Sequence, residues 1–512
     1  MSHRGDIALA TRTGKLVVAA CILASGVGFL MNSAVTIALP TVQRAFDATI
    51  TEVQWIVNAY ALALGSLILI SGALGDLYGV RRVFNTGIAV FTAGSLAGAA
   101  APSVGLLIAA RAVQGTGAAL MVPGSLAIIT TLFPDAERGT VIGLWAGVSG
   151  AIAALGPFIG GFLAEVSWRF VFLAPAPLAL AALAVSMLFL PPLRPGRSTR
   201  IDWLGAVLVA CGLFALSFAF IGASRSVTGA ESPVLLAGSA LLGAGCLTAF
   251  VRHEIRAAAP LVPYRMFTRQ VAGANLATLF IYFSFSGTLF LLSFYLQQLL
   301  GYRATSAGLA VLPTTVLIAL FSGPSGALTD KHGPRFQMIA GPAVVSAAVA
   351  LLAAGDADTA YPGHILPAVI VLGVGIVLII PSITTSALNV PRRFSGTASG
   401  VNNAVARISG LLAVAVVGTA VSVGFVGHLE PALAELPISE SAQHGVMASA
   451  DRLLALELPS GLGPREQRAV TAVLERAFVA GYRLGMMVNL AAAASGLVVG
   501  VLTIPRRPPP NG

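Results

Sequence analysis

The sequence predicts an all-α integral membrane protein in which two parallel six-helix repeats and an inserted helix pair together form fourteen transmembrane helices. Three observations lead to this prediction. Of the 512 residues, 56% are hydrophobic and only 10% are charged, which is too apolar for a soluble domain. Apolar windows of bilayer-crossing length recur along the chain, and one charged segment occurs twice. Because the windows are continuously apolar, they favour helices over the alternating strands of a barrel.

The first window follows Arg4, Arg12 and Lys15, as the apolar part of a signal peptide follows its basic start. It is longer than a signal peptide, and further windows follow it, so we interpret it as a retained helix. The predicted spans are 16–39, 55–75, 83–101, 105–132, 140–164, 170–190, 203–222, 233–251, 272–299, 305–328, 338–355, 364–389, 396–425 and 483–504.

Basic residues are concentrated in every second loop, which is the asymmetry of the positive-inside rule. Both termini are therefore predicted on the cytoplasmic side of the plasma membrane. The net charge of +10 follows from this topology and from anionic lipid headgroups. A nucleic-acid partner is not expected, because the basic residues are dispersed through short loops. The loops predicted on the outer side contain Arg44, Arg169, Arg225 and Arg303.

A charged segment at residues 72–82 has a second copy at 326–335. Its Asp330, Gly333 and Arg335 repeat Asp76, Gly79 and Arg81 at one constant offset, which indicates a duplicated unit. Parallel six-helix repeats with a substrate site between them are one plan of secondary transporters. The predicted domains are an N-terminal six-helix bundle at 1–200, inserted helices 7 and 8 at 201–256, and a C-terminal six-helix bundle at 257–512.

Both copies are predicted to act in gating, with a plain turn and topology-setting arginines as the alternative. Glycine permits a sharp turn, aspartate can cap a helix or accept from an arginine, and arginine anchors at headgroups. Asp76 with Arg138 is the candidate pair. The predicted gating residues are Gly72, Asp76, Gly79, Arg81, Arg82, Arg138, Asp330, Gly333 and Arg335.

Two further segments are informative, LIAARAVQGTGAAL at residues 107–120 and LGPFIGGFL at residues 155–163. Together with the repeated loop, they resemble the major facilitator superfamily, and within it the fourteen-helix drug/proton antiporters. The first resembles the superfamily's helix-4 motif, and the second resembles its helix-5 antiporter motif. The repeated loop resembles the loop signature, although Leu77 and Val80 stand where basic residues are usual. The resemblance implies export of small amphiphilic drugs or antibiotics in exchange for protons, by alternating access between the halves. It implies no enzymatic activity and no cofactor or metal. A monomer is expected, since each chain carries both halves. A facilitator or importer without proton coupling is the alternative.

Arg111 lies inside predicted helix 4, where a bare guanidinium would cost at least about 2.5 kcal/mol. It therefore needs a partner. One interpretation is structural, with the guanidinium snorkelling outward or bonded to helix carbonyls. The resemblance implies a role for Arg111 and Gln114 in proton coupling or anion contact, with Arg407 as a second counter-charge.

Gly156 and Pro157 are predicted to bend helix 5, because proline frees a backbone carbonyl. Gly160 and Gly161 allow a neighbouring backbone to approach. Ordinary close packing explains these residues as well as a special role does, whereas the resemblance implies a hinge that prevents leakage and marks exchangers.

Asn32 stands where many members of the family have a membrane-embedded aspartate. The predicted spans contain no acid, and Glu165 directly follows the outer edge of the fifth span. Proton coupling must therefore use Glu165, a rim acid such as Glu52 or Asp202, or another scheme. The lack of buried acids favours neutral or anionic amphiphiles over cations.

Polar and aromatic side chains inside the spans are candidates for the substrate cavity, with helix–helix contacts equally open for each. They are Asn32, Asn58, Tyr60, Gln114, Asn275, Tyr282, Phe283, Tyr295, Gln297, Gln298, Asn402 and Asn403. Residues 427–480 are predicted as an extracytoplasmic loop. We favour an idle surface loop over an amphipathic helix after Pro464 that would lie on the membrane or over the cavity mouth.

Overall fold

The computed structural model of the protein describes residues 7–191, 202–226, 232–257, 260, 262, 264–391, 395–455, 458–459 and 462–504. These residues are helical and contain no strand. The α-helices are α1 (Arg12–Phe46), α2 (Ile50–Tyr78), α3 (Val80–Ala99), α4 (Val104–Leu132), α5 (Asp135–Ala154), α6 (Gly156–Val166), α7 (Trp168–Leu173), α8 (Pro175–Phe189), α9 (Trp203–Ser226), α10 (Pro233–Arg256), α11 (Arg269–Phe294), α12 (Ala304–His332), α13 (Arg335–Ala353), α14 (Leu366–Ala387), α15 (Ser395–Ala434), α16 (Glu440–Ala448) and α17 (Pro464–Thr503).

Within the described part of the chain, 12 helical segments are long and apolar enough to cross a membrane. The predicted all-helical, multi-pass fold is therefore confirmed, whereas the count of fourteen stays a prediction. Two predicted spans are not among the 12, and they correspond to α2 and α3, both continuous helices. Helix α3 begins with Val80, Arg81 and Arg82, and these charges lower its mean hydropathy.

The packing of the helices repeats between the two halves of the chain. In the N-terminal half, α3 packs on α4 and α8, α2 packs on α4, and α1 packs on α6 and α8. In the C-terminal half, α13 packs on α14 and α17, α12 on α14, and α11 on α15 and α17. Each pair of the first half thus has a counterpart in the second, as parallel repeats require.

The two loop signatures adopt matching geometry. Gly79 and Gly333 both have positive φ, at 92° and 78°, a region that glycine enters without steric cost. Arg81 donates a hydrogen bond to the carbonyl of Met187 near the end of α8. Arg335 donates to the carbonyl of Ile504 just after α17. In each half, the arginine therefore ties the loop signature to the last long helix of that half.

The halves pack together through α2 on α15 and through α6 on α12. These are again equivalent pairs. We name the end of the bundle where α1 begins and both loop signatures lie end A, and the opposite end, where α1 ends, end B. Helix α9 packs on α10 and also on α2 and α15, so the inserted pair lies beside the interface between the halves. The predicted domain boundary at residue 200 falls outside the described residues, and the domain ranges remain a proposal.

Much of the predicted loop 427–480 is helical. Helices α15 and α17 are each 40 residues long, or about 60 Å at 1.5 Å per residue. Because a hydrocarbon core is about 30 Å thick, both helices continue past the apolar layer at end B. The segment that follows Pro464 is thus the first part of the last long helix and not a separate surface helix.

Candidate functional site

Arg111 is enclosed in the N-terminal half, with 1% of its surface exposed. Its Nε donates to the carbonyl oxygen of Ile56 at 3.1 Å, and one Nη donates to the side-chain oxygen of Gln114. The guanidinium carbon lies 4.2 Å from the centre of the Tyr60 ring. Gln114 in turn donates to Ser95 at 2.8 Å. The charge is therefore satisfied within α2, α3 and α4, as the structural interpretation of Arg111 expects.

Glycines allow the close packing around this network. A side chain on Gly94 would overlap the backbone of Gln114, and one on Gly117 would overlap the backbone of Phe91. Helices α3 and α4 can approach so closely because these positions lack a Cβ. The network is thus held by backbone contacts on two sides.

Arg407 lies in a different environment, between the halves. Its guanidinium carbon is 5.5 Å from the ring centre of Phe29 on α1, and its Cβ faces Gly65 on α2. The side chain is partly buried and has no hydrogen bond or ion pair with any described residue.

The predicted helix-5 motif joins α6 to two neighbours. The regular helix is interrupted at Leu155, between α5 and α6, which is where the bend is predicted. A side chain on Gly156 or Gly160 would overlap Ser33 or Ala34 of α1 within the same half.

The next glycine of this motif faces the other half. A side chain on Gly161 would overlap the carbonyl of Ala304, and one on Gly308 would overlap the carbonyl of Pro157. The motif therefore sets both the packing of α6 on α1 and its contact with α12.

Hydrogen bonds connect the halves at end B. Side chains of α2 and α11 and of the π-helical turn Tyr295–Leu299 donate across the interface. Gln54 Nε2 donates to the carbonyls of Val414 (3.0 Å) and Ala415 (3.1 Å). Ser293 Oγ donates to the carbonyl of Thr36 (2.9 Å), and Gln297 Nε2 donates to the carbonyl of Ile37 (2.7 Å). Gln298 Nε2 donates to Gln43 Oε1 (2.8 Å).

Glu165 also spans the interface at end B. One carboxylate oxygen accepts from the backbone N–H of Thr305 at 2.9 Å, and the other lies 2.9 Å from Arg303. The Glu165 side chain is 21% exposed, whereas that of Arg303 is 79% exposed. The acid that the sequence placed at a span edge therefore links α6 to the start of α12.

The segment between α16 and α17 reaches the N-terminal half. Arg452 lies 2.7 Å from the carboxylate of Asp47, and its carbonyl accepts from Gln43 at 3.2 Å. Leu453, with φ of 56° and 1% exposure, lines a small cavity with Ile50 and Phe294. A leucine with positive φ is strained, so tertiary packing holds it there. The favoured interpretation of this region as an idle loop is wrong for residues 450–455.

The remaining cavity candidates lie in several places. Asn402 donates to Asn275 at 3.3 Å and to Thr278 at 2.8 Å, so these side chains form one cluster inside the C-terminal half. Tyr295 stacks on Tyr482 and donates to the carbonyl of Asp356, away from the middle of the bundle.

Asn58 is fully buried, and neither of its amide atoms has a partner among the described residues. For Asn32, Gly72, Asp76, Arg138 and Asp330 the structure describes only the helical backbone and not the side-chain environment, so the Asp76–Arg138 pair stays a prediction.

The two rim acids have local partners. Glu52 completes the capping box of α2 with Thr49, and Asp202 contacts His253 at 2.8 Å. In the described residues, no cluster of three histidine, cysteine or acidic side chains could hold a metal ion.

Sequence reasoning missed Ser95, Gln54, Phe29 and the Asp47–Arg452 pair. Gln54 could have been found, because it lies one helical turn before Asn58 and so on the same face of α2. The others had no local signal, since their partners are distant in the chain.

Comparison with known proteins identifies the family. The sequence profile of the Major Facilitator Superfamily matches residues 21–414. The puromycin resistance protein pur8 of Streptomyces alboniger is 37% identical over 397 residues, or 76% of this chain and 78% of that protein. The tetracenomycin C resistance and export protein of Streptomyces glaucescens is 30% identical over 502 residues, covering 96% and 92%.

A solved structure shares the fold. A bacterial homolog of the human lysosomal transporter Spinster, inward-facing and unoccupied, superposes with a TM-score of 0.70 at 16% identity, over 98% of this chain and 100% of that one. The chain therefore belongs to the Major Facilitator Superfamily and is a multi-pass membrane transporter of small molecules.

Proposed function

We propose that the protein exports small amphiphilic compounds, drugs or antibiotics, across the plasma membrane in exchange for protons. End A faces the cytoplasm in this proposal, because both basic loop signatures lie there. The protein works as a monomer, since one chain carries both halves of its pathway. Relatives named as resistance and export proteins support the direction of transport.

The observation that carries the proposal is the pair of equivalent contacts between the halves. Helix α2 packs on α15 and α6 packs on α12, and the second contact lacks side chains at Gly161 and Gly308. Symmetric, glycine-lined contacts allow one half to rock against the other as a rigid body. In this structure the halves are joined at end B, so the pathway is closed there.

Proton coupling acts through Glu165 in this proposal. Its ionised carboxylate holds Arg303 and the N–H of Thr305 across the interface. Protonation removes the negative charge and weakens both charge-assisted contacts, so a proton arriving from the outer side favours opening of end B. Loss of that proton restores the contacts with Arg303 and Thr305 and thereby the closed arrangement.

The test is accumulation of fluorescent cationic, neutral and anionic compounds in efflux-deficient bacteria, with and without a protonophore. Cells that carry the Gly160→Val variant, in which α6 cannot pack on α1, serve as the control. Lower accumulation that the protonophore abolishes supports proton-driven export. Lower accumulation that persists with the protonophore, or higher accumulation in cells with the protein, would replace the proposal by an uncoupled facilitator or an importer.

A further inference from the structure

We propose that Arg407, together with Phe29, forms a subsite for the acidic group of an aromatic anion midway along the pathway. This inference rests on the proposed export function and names a substrate class for it. The ligand is a flat ring system that carries a carboxylate, phenolate or enolate oxygen.

The position of Arg407 excludes an anchoring role at the membrane surface. Phe29, over which the guanidinium lies, is the central residue of the 35-residue helix α1. It is therefore about 25 Å from either end of that helix. An arginine side chain cannot span this distance to reach a headgroup, so snorkelling does not explain the charge.

Among the described residues, none satisfies the charge of Arg407 by a hydrogen bond or an ion pair. Its contact with the Phe29 ring is a cation–π interaction. Placing a cation at the bilayer centre costs more free energy than a single cation–π interaction returns. An additional anionic or polar ligand would stabilise the guanidinium charge further.

Arg111 does not offer the same capacity. Its guanidinium already donates to Ile56 and Gln114, and it is 1% exposed. Arg407 is partly exposed and faces α1 and α2 across the interface, so its open surface lies between the halves. Of the two membrane arginines predicted to contact anions, Arg407 is the one that a ligand between the halves can reach.

The neighbouring side chains match an aromatic anion. A guanidinium forms two parallel hydrogen bonds with a carboxylate, while the aromatic ring of Phe29 offers a contact for a flat ring. An organic cation would meet the like charge of Arg407, which disfavours it. Asn58 lies two helical turns from Gly65 on the same face of α2 and is a further buried polar group whose amide atoms have no partner among the described residues.

The experiment measures binding of 9-anthracenecarboxylate and 9-anthracenecarboxamide, which differ in the charged group alone. The full-length protein is held in lipid nanodiscs without any pH gradient, and empty nanodiscs provide the blank. The variants are Arg407→Gln, Arg407→Lys and, as a matched control that removes an exposed arginine, Arg476→Gln. Thermal unfolding of each variant is recorded as a measure of folding.

We expect the wild type to bind the carboxylate more tightly than the amide. Arg407→Gln should raise the Kd of the carboxylate by about tenfold or more, leave the amide within about twofold, and leave Tm unchanged or higher because an unpaired charge is lost. The Kd of Arg407→Lys for the carboxylate should lie between the values of the wild type and Arg407→Gln. The Kd values of Arg476→Gln should match those of the wild type.

Two results would overturn the inference, and they are distinguishable. If the wild type binds both compounds and Arg407→Gln weakens both equally or neither, the subsite is wrong while the proposed export stands. If the wild type binds neither compound and exports no compound in the accumulation test, the proposed function fails and the subsite falls with it.

Discussion

The guanidinium of Arg452 lies 2.7 Å from the carboxylate of Asp47 and thereby ties the segment between α16 and α17 to the turn between α1 and α2. The two residues belong to different halves of the transporter. Both are partly exposed, at 29% and 57%, so the ion pair alone contributes about 0–1 kcal/mol. Its effect comes from holding Leu453 between Ile50 and the C-terminal half.

Cross-linking this pair should stop transport. Asp47→Cys and Arg452→Cys are combined in a protein without Cys21, Cys211 and Cys246 and joined by a short bifunctional thiol reagent. Export should be lost, because the halves can no longer separate at end B. The Arg452→Cys variant treated with the same reagent is the control. Undiminished export by the cross-linked protein would show that end B does not open here.

Removal of the Arg111 guanidinium should destabilise the N-terminal half. Arg111→Gln leaves the Ile56 carbonyl and Gln114 without their donor, at about 1–3 kcal/mol for each buried group. Arg111→Lys should restore little, since an ammonium cannot reproduce the planar fork. Thermal unfolding in detergent measures the effect. Val113→Ala, at a 43% exposed position, should leave Tm nearly unchanged, and an equal Tm for Arg111→Gln would contradict the prediction.

Alanine at Gly160 and alanine at Gly161 of α6 should act in different ways. Gly160→Ala forces a Cβ against Ala34 in the same half and should lower stability by about 1–3 kcal/mol through overpacking. Gly161→Ala meets Ala304 in the other half and should favour opening at end B.

Labelling of a Ser293→Cys side chain, buried in the closed interface, by a membrane-impermeant thiol reagent reports this opening. Gly150→Ala, which has open space around it, is the control and should not alter labelling. If Gly161→Ala labels no faster than Gly150→Ala, the contact with α12 does not govern opening.

Glu165→Gln should mimic the protonated state and uncouple export from external pH. The amide cannot form an ion pair with Arg303, so end B should open more readily at every pH. Export by the wild type should fall as external pH rises, while that of the variant should stay flat. Glu440→Gln removes an exposed acid at the same end and should retain the wild-type profile. A Glu165→Gln profile that parallels the wild type would assign coupling to another group.

Local patterns in the sequence predicted much of the fold. The windows of apolar residues predicted the helices, because backbone groups in a bilayer must be bonded within their own segment. The repeated loop predicted the duplication, and Gly79 and Gly333 do adopt the positive φ that such a turn requires. The interruption of the helix before Pro157 follows from chemistry that a single residue carries.

The candidate site was predictable in part. Arg111 and Arg407 stood out because charges are rare in apolar windows. The difference between their environments could not be predicted from the sequence, because both are arginines inside helices. Arg111 meets three partners in its own half, whereas Arg407 faces α1 across the interface. The sequence interpretation of 450–455 as part of an idle loop was wrong, because nothing local marks Leu453 as a residue buried between distant helices.

By itself, the sequence determined the helical class, the duplicated plan and the positions of the rare charges, because each depends on short-range composition and the solvent properties of a bilayer. Tertiary structure alone decided which charges are satisfied, which glycines face the other half, and where the halves close. These features depend on helices separated by hundreds of residues, such as α1 with α11 and α2 with α15, whose contacts leave no local pattern in the chain.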